Sequence, residues 1–103
     1  MARWVQVVQT KEMQPGESRV VEVEGFELAV FNVGGSFHVL SNVCPHVGGA
    51  LGEGQLRGNW VACPWHGWQF DVTTGANALG SKPAHCFRTQ VDGDWVTVEW
   101  PYN

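Results

Sequence analysis

Apolar and polar residues alternate in short runs along this chain, and nearly every run ends in a turn signal. Trp4-Val5-Gln6-Val7-Val8 and Ser18-Arg19-Val20-Val21-Glu22-Val23-Glu24 read as two strands with Pro15-Gly16 between them. Leu28 to Val33 and Ser36 to Leu40 flank Gly34-Gly35, a two-residue hairpin signal. Asn59 to Ala62 and Gln69 to Val72 are shorter apolar runs around the middle of the chain. Phe87 to Val91 and Trp95 to Trp100 flank Asp92-Gly93-Asp94, which predicts a second hairpin. No stretch sustains a helical period, and at most one helical turn is expected, near Gly49 to Gly52. Eight or so short strands at regular spacing predict an all-β fold, an antiparallel sandwich or partly open barrel.

Size and composition narrow the picture. The 103 residues fit one domain, 1–103. With 44% hydrophobic and 16% charged residues the chain is globular in composition. Six Trp and five Phe supply large apolar area to a core that a chain of this length can only make modest. The formal charge of −4 and the lack of any basic run argue against nucleic acid as a partner. Glu12, Glu17, Glu22, Glu24 and Glu27 crowd the first quarter of the chain, which predicts a solvated acidic face. The sharper alternative is an acidic patch that steers a basic redox partner. No run of eighteen apolar residues encodes a spanning helix, the first residues lack an apolar signal core, and three Cys do not suit a disulfide framework. The expectation is a cytoplasmic protein with no membrane attachment, monomeric in solution.

Chemistry concentrates in two matching segments, Cys44-Pro45-His46-Val47-Gly48 and Cys63-Pro64-Trp65-His66-Gly67. Each brings one thiol and one imidazole onto a loop with proline and glycine. Together they form a four-ligand set, Cys44, His46, Cys63 and His66, with sixteen residues between His46 and Cys63. Two Cys and two His also suit tetrahedral zinc, but zinc modules usually carry such ligands on a compact hairpin and helix. The order C-x-H then C-x-x-H, both prolines, the glycines and Trp68 leading into a strand resemble the Rieske family. The likeness extends to Phe37-His38-Val39-Leu40-Ser41-Asn42, Phe70-Asp71, Thr74-Gly75 and Pro83-Ala84.

The resemblance implies a Rieske-type β fold with an inserted cluster-binding subdomain at roughly 41–79. It implies one [2Fe–2S] cluster as cofactor, with Cys44 and Cys63 on one iron and His46 and His66 on the other. Backbone N–H groups of Gly48, Gly49 and Gly67 are expected close to the sulfides. Members with high potential carry a disulfide between the loops and a Ser after the loop glycine; here Gly48 or its neighbours and Trp65 stand where the two disulfide cysteines would be and Trp68 where the Ser would be, which implies the low end of the family range, about −150 mV. The implied role is not an enzyme but an electron-transfer component, a ferredoxin serving an aromatic-ring-hydroxylating dioxygenase. It takes electrons from an FAD-containing, NAD(P)H-dependent ferredoxin reductase and gives them to a terminal oxygenase. A small accessory subunit fixed in a larger reductase or oxygenase complex is the alternative. A catalytic oxygenase subunit, which needs a second domain with a mononuclear iron, is not expected at this length.

Other chemistry-bearing residues read as structural. Cys86 is expected in the core beside Phe87. His85 and Cys86, as strand neighbours, point to opposite faces and are not expected to share a metal. His38 lies in a strand and is expected to lack a nearby thiol. Trp65 reads equally as a cover over the cluster or as an exposed anchor for a partner, and Trp68 as packing.

Overall fold

The computed structural model describes residues 3–45, 49–65 and 67–102. Ten strands are found among them: β1 (Arg3–Gln9), β2 (Ser18–Val23), β3 (Phe26–Val33), β4 (Ser36–Ser41), β5 (Gln55–Arg57), β6 (Trp60–Ala62), β7 (Gln69–Asp71), β8 (Cys86–Phe87), β9 (Thr89–Asp92) and β10 (Trp95–Trp100). They form three antiparallel sheets of order β1-β10-β9, β2-β3-β4-β8 and β5-β6-β7, none closed into a barrel. Single 3₁₀ turns occur at Thr10–Glu12 and Leu51–Glu53; the second lies where the sequence allowed one, and the first was not anticipated.

The middle sheet is buried on both faces, which explains its unbroken apolar run. Successive strand residues point to opposite sides. Leu28 and Val30 of β3, with Val39 of β4, pack against Val8, Val96, Val98 and Trp100 of the first sheet. Ala29, Phe31 and Leu40 face the other way, onto Leu51, Val61, Phe70 and Val72 around the small sheet. The result is three layers with two cores sharing one sheet. Phe87, Trp100, Phe26 and Tyr102 make a connected aromatic cluster at one end of the first core, with ring centroids 4.8–5.8 Å apart.

Three local features depart from the sequence reading. The run from Phe87 to Val91 is two strands, because the chain changes sheets at Arg88: β8 pairs with β4, and β9 pairs with β10. Such a corner lets one segment cover the edge of two layers. The strand β5 was not anticipated, since Leu56 is its only apolar residue; Gly58-Asn59 turns it into β6, Arg57 opposite Trp60. Glu24-Gly25 is a further two-residue hairpin joining β2 to β3, with φ of 49° at Glu24 and 87° at Gly25.

Candidate metal centre

The two Cys-Pro segments are the ends of two hairpins, and both close in the same way. Val43 bridges Ala50, and the Cys44 N–H donates to the Gly49 carbonyl at 2.8 Å. In the second hairpin Ala62 pairs with Gln69, and the Cys63 N–H donates to the Trp68 carbonyl at 2.7 Å. Each Cys thus stands immediately before a four-residue tip and is tied to the residue five positions on. Both Cys side chains turn inward, to 1% exposure, and join the core under the small sheet. Asn42, itself buried, anchors the first hairpin: its Oδ1 accepts the Gly52 N–H at 2.7 Å and its Nδ2 donates to Glu27 at 3.2 Å.

The hairpin ends face each other at close range. A Cβ built on Gly49 would lie 2.9 Å from Cys63 Sγ and 3.2 Å from Trp65 Cγ. Only glycine lets the first hairpin approach the second thiol so nearly. Gly67 behaves differently. Its φ is 78°, nothing would crowd a Cβ there, and its N–H is spent on the Cys63 carbonyl at 2.9 Å. Gly67 therefore serves the turn, its left-handed backbone closing the tip of the second hairpin. Trp65 is 70% exposed while its ring edge lies over Gly49, so the exposed-anchor reading gains over the cover. Trp68 is half-buried against the core under the small sheet, in the packing role. His46, Val47, Gly48 and His66 lie outside the described residues.

The donor set fits a soft metal centre. Two thiols buried in one apolar core, on loops whose backbone is internally bonded, are suited to iron and sulfide. The core also limits water, which raises the electrostatic weight of whatever the loops hold.

The remaining candidates fall outside this site. His38, Asp71 and Cys86 gather where the middle sheet meets the small one. Burial lowers the pKa of the His38 imidazole, while the Asp71 carboxylate pulls the other way. Burial raises the pKa of the Cys86 thiol, and Asp71 pushes it further up. Cys86 is half-buried beside the Thr73 carbonyl at 3.6 Å, packing at the core margin and not inside it. His85 is exposed, its ring 4.4 Å from that of Phe87. Among the described residues no three His, Cys, Asp or Glu side chains gather in a way that would hold a metal ion. The N-terminal acids are largely engaged within the chain. Glu12 pairs with Arg19 at 2.8 Å and Glu24 with Arg3, and Glu17 accepts the Gln14 N–H at 2.6 Å. Among the described residues no helix is long and apolar enough to cross a membrane.

An all-β frame presenting two thiol-bearing hairpins defines an iron–sulfur class of domain. Residues 3–96 match the Rieske [2Fe-2S] domain, and the chain belongs to that family, whose cofactor is one [2Fe–2S] cluster. It is 41% identical over 98 residues to Ferredoxin CarAc of Metapseudomonas resinovorans, covering 92% of each protein. It is 37% identical over 100 residues to the ferredoxin component of the naphthalene 1,2-dioxygenase system of Pseudomonas aeruginosa, covering 94% of this chain and 95% of that protein. Among solved structures it resembles a chain in the complex of reduced oxygenase and oxidised ferredoxin of carbazole 1,9a-dioxygenase, with a TM-score of 0.86, 35% identity and coverage of 93% and 92%. The chain spans only 16% of mouse Apoptosis-inducing factor 3, which it matches at 33% identity over 94 residues.

Proposed function

We propose that the chain is a one-electron carrier, not itself an enzyme, in a multicomponent oxygenase system for aromatic compounds. It accepts electrons from an NAD(P)H-dependent flavin reductase in the cytoplasm and delivers them to a terminal Rieske oxygenase. The observation that carries this reading is the matched closure of two hairpins around two buried thiols, with Gly49 seated against Cys63 Sγ. Cys44 and Cys63 are assigned to one iron, and His46 and His66, which follow them by two and three residues in the sequence, to the other. The unit bearing them is the segment at roughly 41–79.

When bound, the cluster supplies a one-electron couple, and its neutral imidazoles make added charge less costly than four thiolates would. The chain's own part is to hold the ligands still and to offer a surface for docking. The backbone bonds of Cys44 and Cys63 and the anchor at Asn42 restrict movement of the loops. Similarity to the ferredoxins of the carbazole and naphthalene systems supports the oxygenase as electron acceptor. A shuttle must leave its partner, so the contact is expected to be small, below about 1,200 Å² in total.

Coulometric titration of the iron-loaded protein tests the assignment. One electron per chain is expected, followed by full reoxidation when a Rieske oxygenase is added. Uptake of no electron, or of two, overturns it.

A further inference from the structure

The exposed face of the small sheet holds a cavity of about 290 Å³ lined by Gln55, Arg57, Trp60, Ala62, Gly67 and Gln69. Its composition is unusual for this chain. Arg3, Arg19 and Arg88 each have a glutamate partner, whereas among the described residues Arg57 makes no ion pair. Arg57 is directly opposite Trp60 across the β5–β6 ladder, so guanidinium and indole share the face. The carboxylate in register with them, Asp71 opposite Trp60, already accepts the Thr73 N–H at 2.9 Å and the Thr73 hydroxyl at 2.6 Å. Gln55 and Gln69 add neutral donors and acceptors, and no acid lines the cavity.

The geometry points to this groove as the seat of an acidic segment of the electron-transfer partner. A carboxylate would take the planar fork of Arg57, and a flat or apolar neighbour would lie on Trp60. Charge complementarity selects that occupant: the groove offers one unpaired cation and no anion on a chain whose formal charge is −4. Position selects it too. The rim at Gly67 belongs to the hairpin tip of Cys63, and its N–H bonds the Cys63 carbonyl at 2.9 Å, so a segment seated here abuts the loop carrying a proposed ligand. The inference rests on the carrier reading and adds to it the chemistry of the partner's contact.

The probe is the peptide acetyl-Glu-Asp-Tyr-Glu-Asp-amide, titrated calorimetrically into iron-loaded protein at low ionic strength beside its uncharged Gln-Asn-Tyr-Gln-Asn counterpart. The acidic peptide is expected to bind, more weakly as salt is added, and the uncharged one at least about tenfold less well. Arg57→Gln and Trp60→Ala should each weaken the acidic peptide by about tenfold, while Arg88→Gln and Lys82→Gln should leave it unchanged. Failure of the native protein to bind the acidic peptide, equal affinity for both peptides, or unchanged affinity in Arg57→Gln overturns the inference. Reduction of the same samples by dithionite tests the carrier reading separately: it should be intact in all four variants, and its loss in the native protein strikes that reading, not the groove.

Discussion

Replacing Gly49 by Ala probes how tightly the two hairpins are pressed together. Nothing in the Gly49 backbone forbids a side chain, since its φ lies outside the left-handed region. The cost is therefore steric. The new methyl group would sit 2.9 Å from Cys63 Sγ, 3.2 Å from Trp65 Cγ and 3.4 Å from Trp65 Cδ1. Trp65 is 70% exposed and can swing away, but Cys63 is 1% exposed and has nowhere to retreat. Overpacking of this kind costs about 1–3 kcal/mol. For a domain of this size, each kcal/mol lowers Tm by about 4–8 °C. Part of the strain should appear as movement of the thiol, and hence as a lower content of iron and acid-labile sulfide. The assay pairs circular-dichroism melting with iron and sulfide analysis of Gly49→Ala, Gly49→Ala/Trp65→Ala and Gly67→Ala. The double variant should recover little, because the tighter contact is with sulfur. Gly67→Ala should lose about 1–2 kcal/mol through backbone strain alone, its φ being 78° with open space around it. A Gly49→Ala protein with full iron content and an unchanged melt would refute the close-approach argument.

Other consequences are open to measurement. Burial holds the His38 pKa below its ordinary value of 6.5, so the unfolded chain takes up that proton first as pH falls. Stability should therefore decline below about pH 6.5, and this part of the decline should vanish in His38→Gln; a flat difference between the two urea midpoints across the imidazole range would contradict it. Phe87→Ala removes a buried ring stacked on Trp100 at a centroid distance of 5.8 Å and should cost about 3–5 kcal/mol in chemical denaturation. Glu24 holds a φ of 49° in the β2–β3 turn, a conformation that Asn adopts more readily, while its ion pair with Arg3 is about half exposed and worth little. Glu24→Asn should raise stability by up to about 1 kcal/mol, and a lower melting temperature would count against the turn assignment.

Much of the frame was readable from residue pattern because period-two alternation and Gly-bearing turns act locally. The Gly34-Gly35 hairpin between Val33 and Ser36 is an example, with both glycines at positive φ. The paired Cys-Pro segments stood out equally in the sequence, and the structure buries Cys44 and Cys63 in one core at the ends of two matching hairpins. What pattern could not reveal depended on contacts distant in sequence. Leu28 to Phe31 is one apolar run whichever sheet covers it, and only the assembled layers divide it between two cores. Arg88 carries no signal for the change of sheet, which follows from β4 and β10 competing for the same segment. The glycines looked alike in sequence; packing separates Gly49, pressed on Cys63, from Gly67, whose left-handed backbone turns the chain. Arg57 was silent for a similar reason, because its lack of an ion pair among the described residues is visible only once the other arginines have found theirs.

The carrier role stands on sulfur ligands at one iron and nitrogen ligands at the other. Electron paramagnetic resonance of the dithionite-treated, iron-loaded protein reports that asymmetry. A brown protein is expected, whose signal has an average g below that of all-Cys [2Fe–2S] proteins, abolished or altered in His46→Ala and His66→Cys and intact in His38→Ala and His85→Ala. A colourless protein with one zinc per chain and no signal, or a signal lost in His85→Ala, would contradict it.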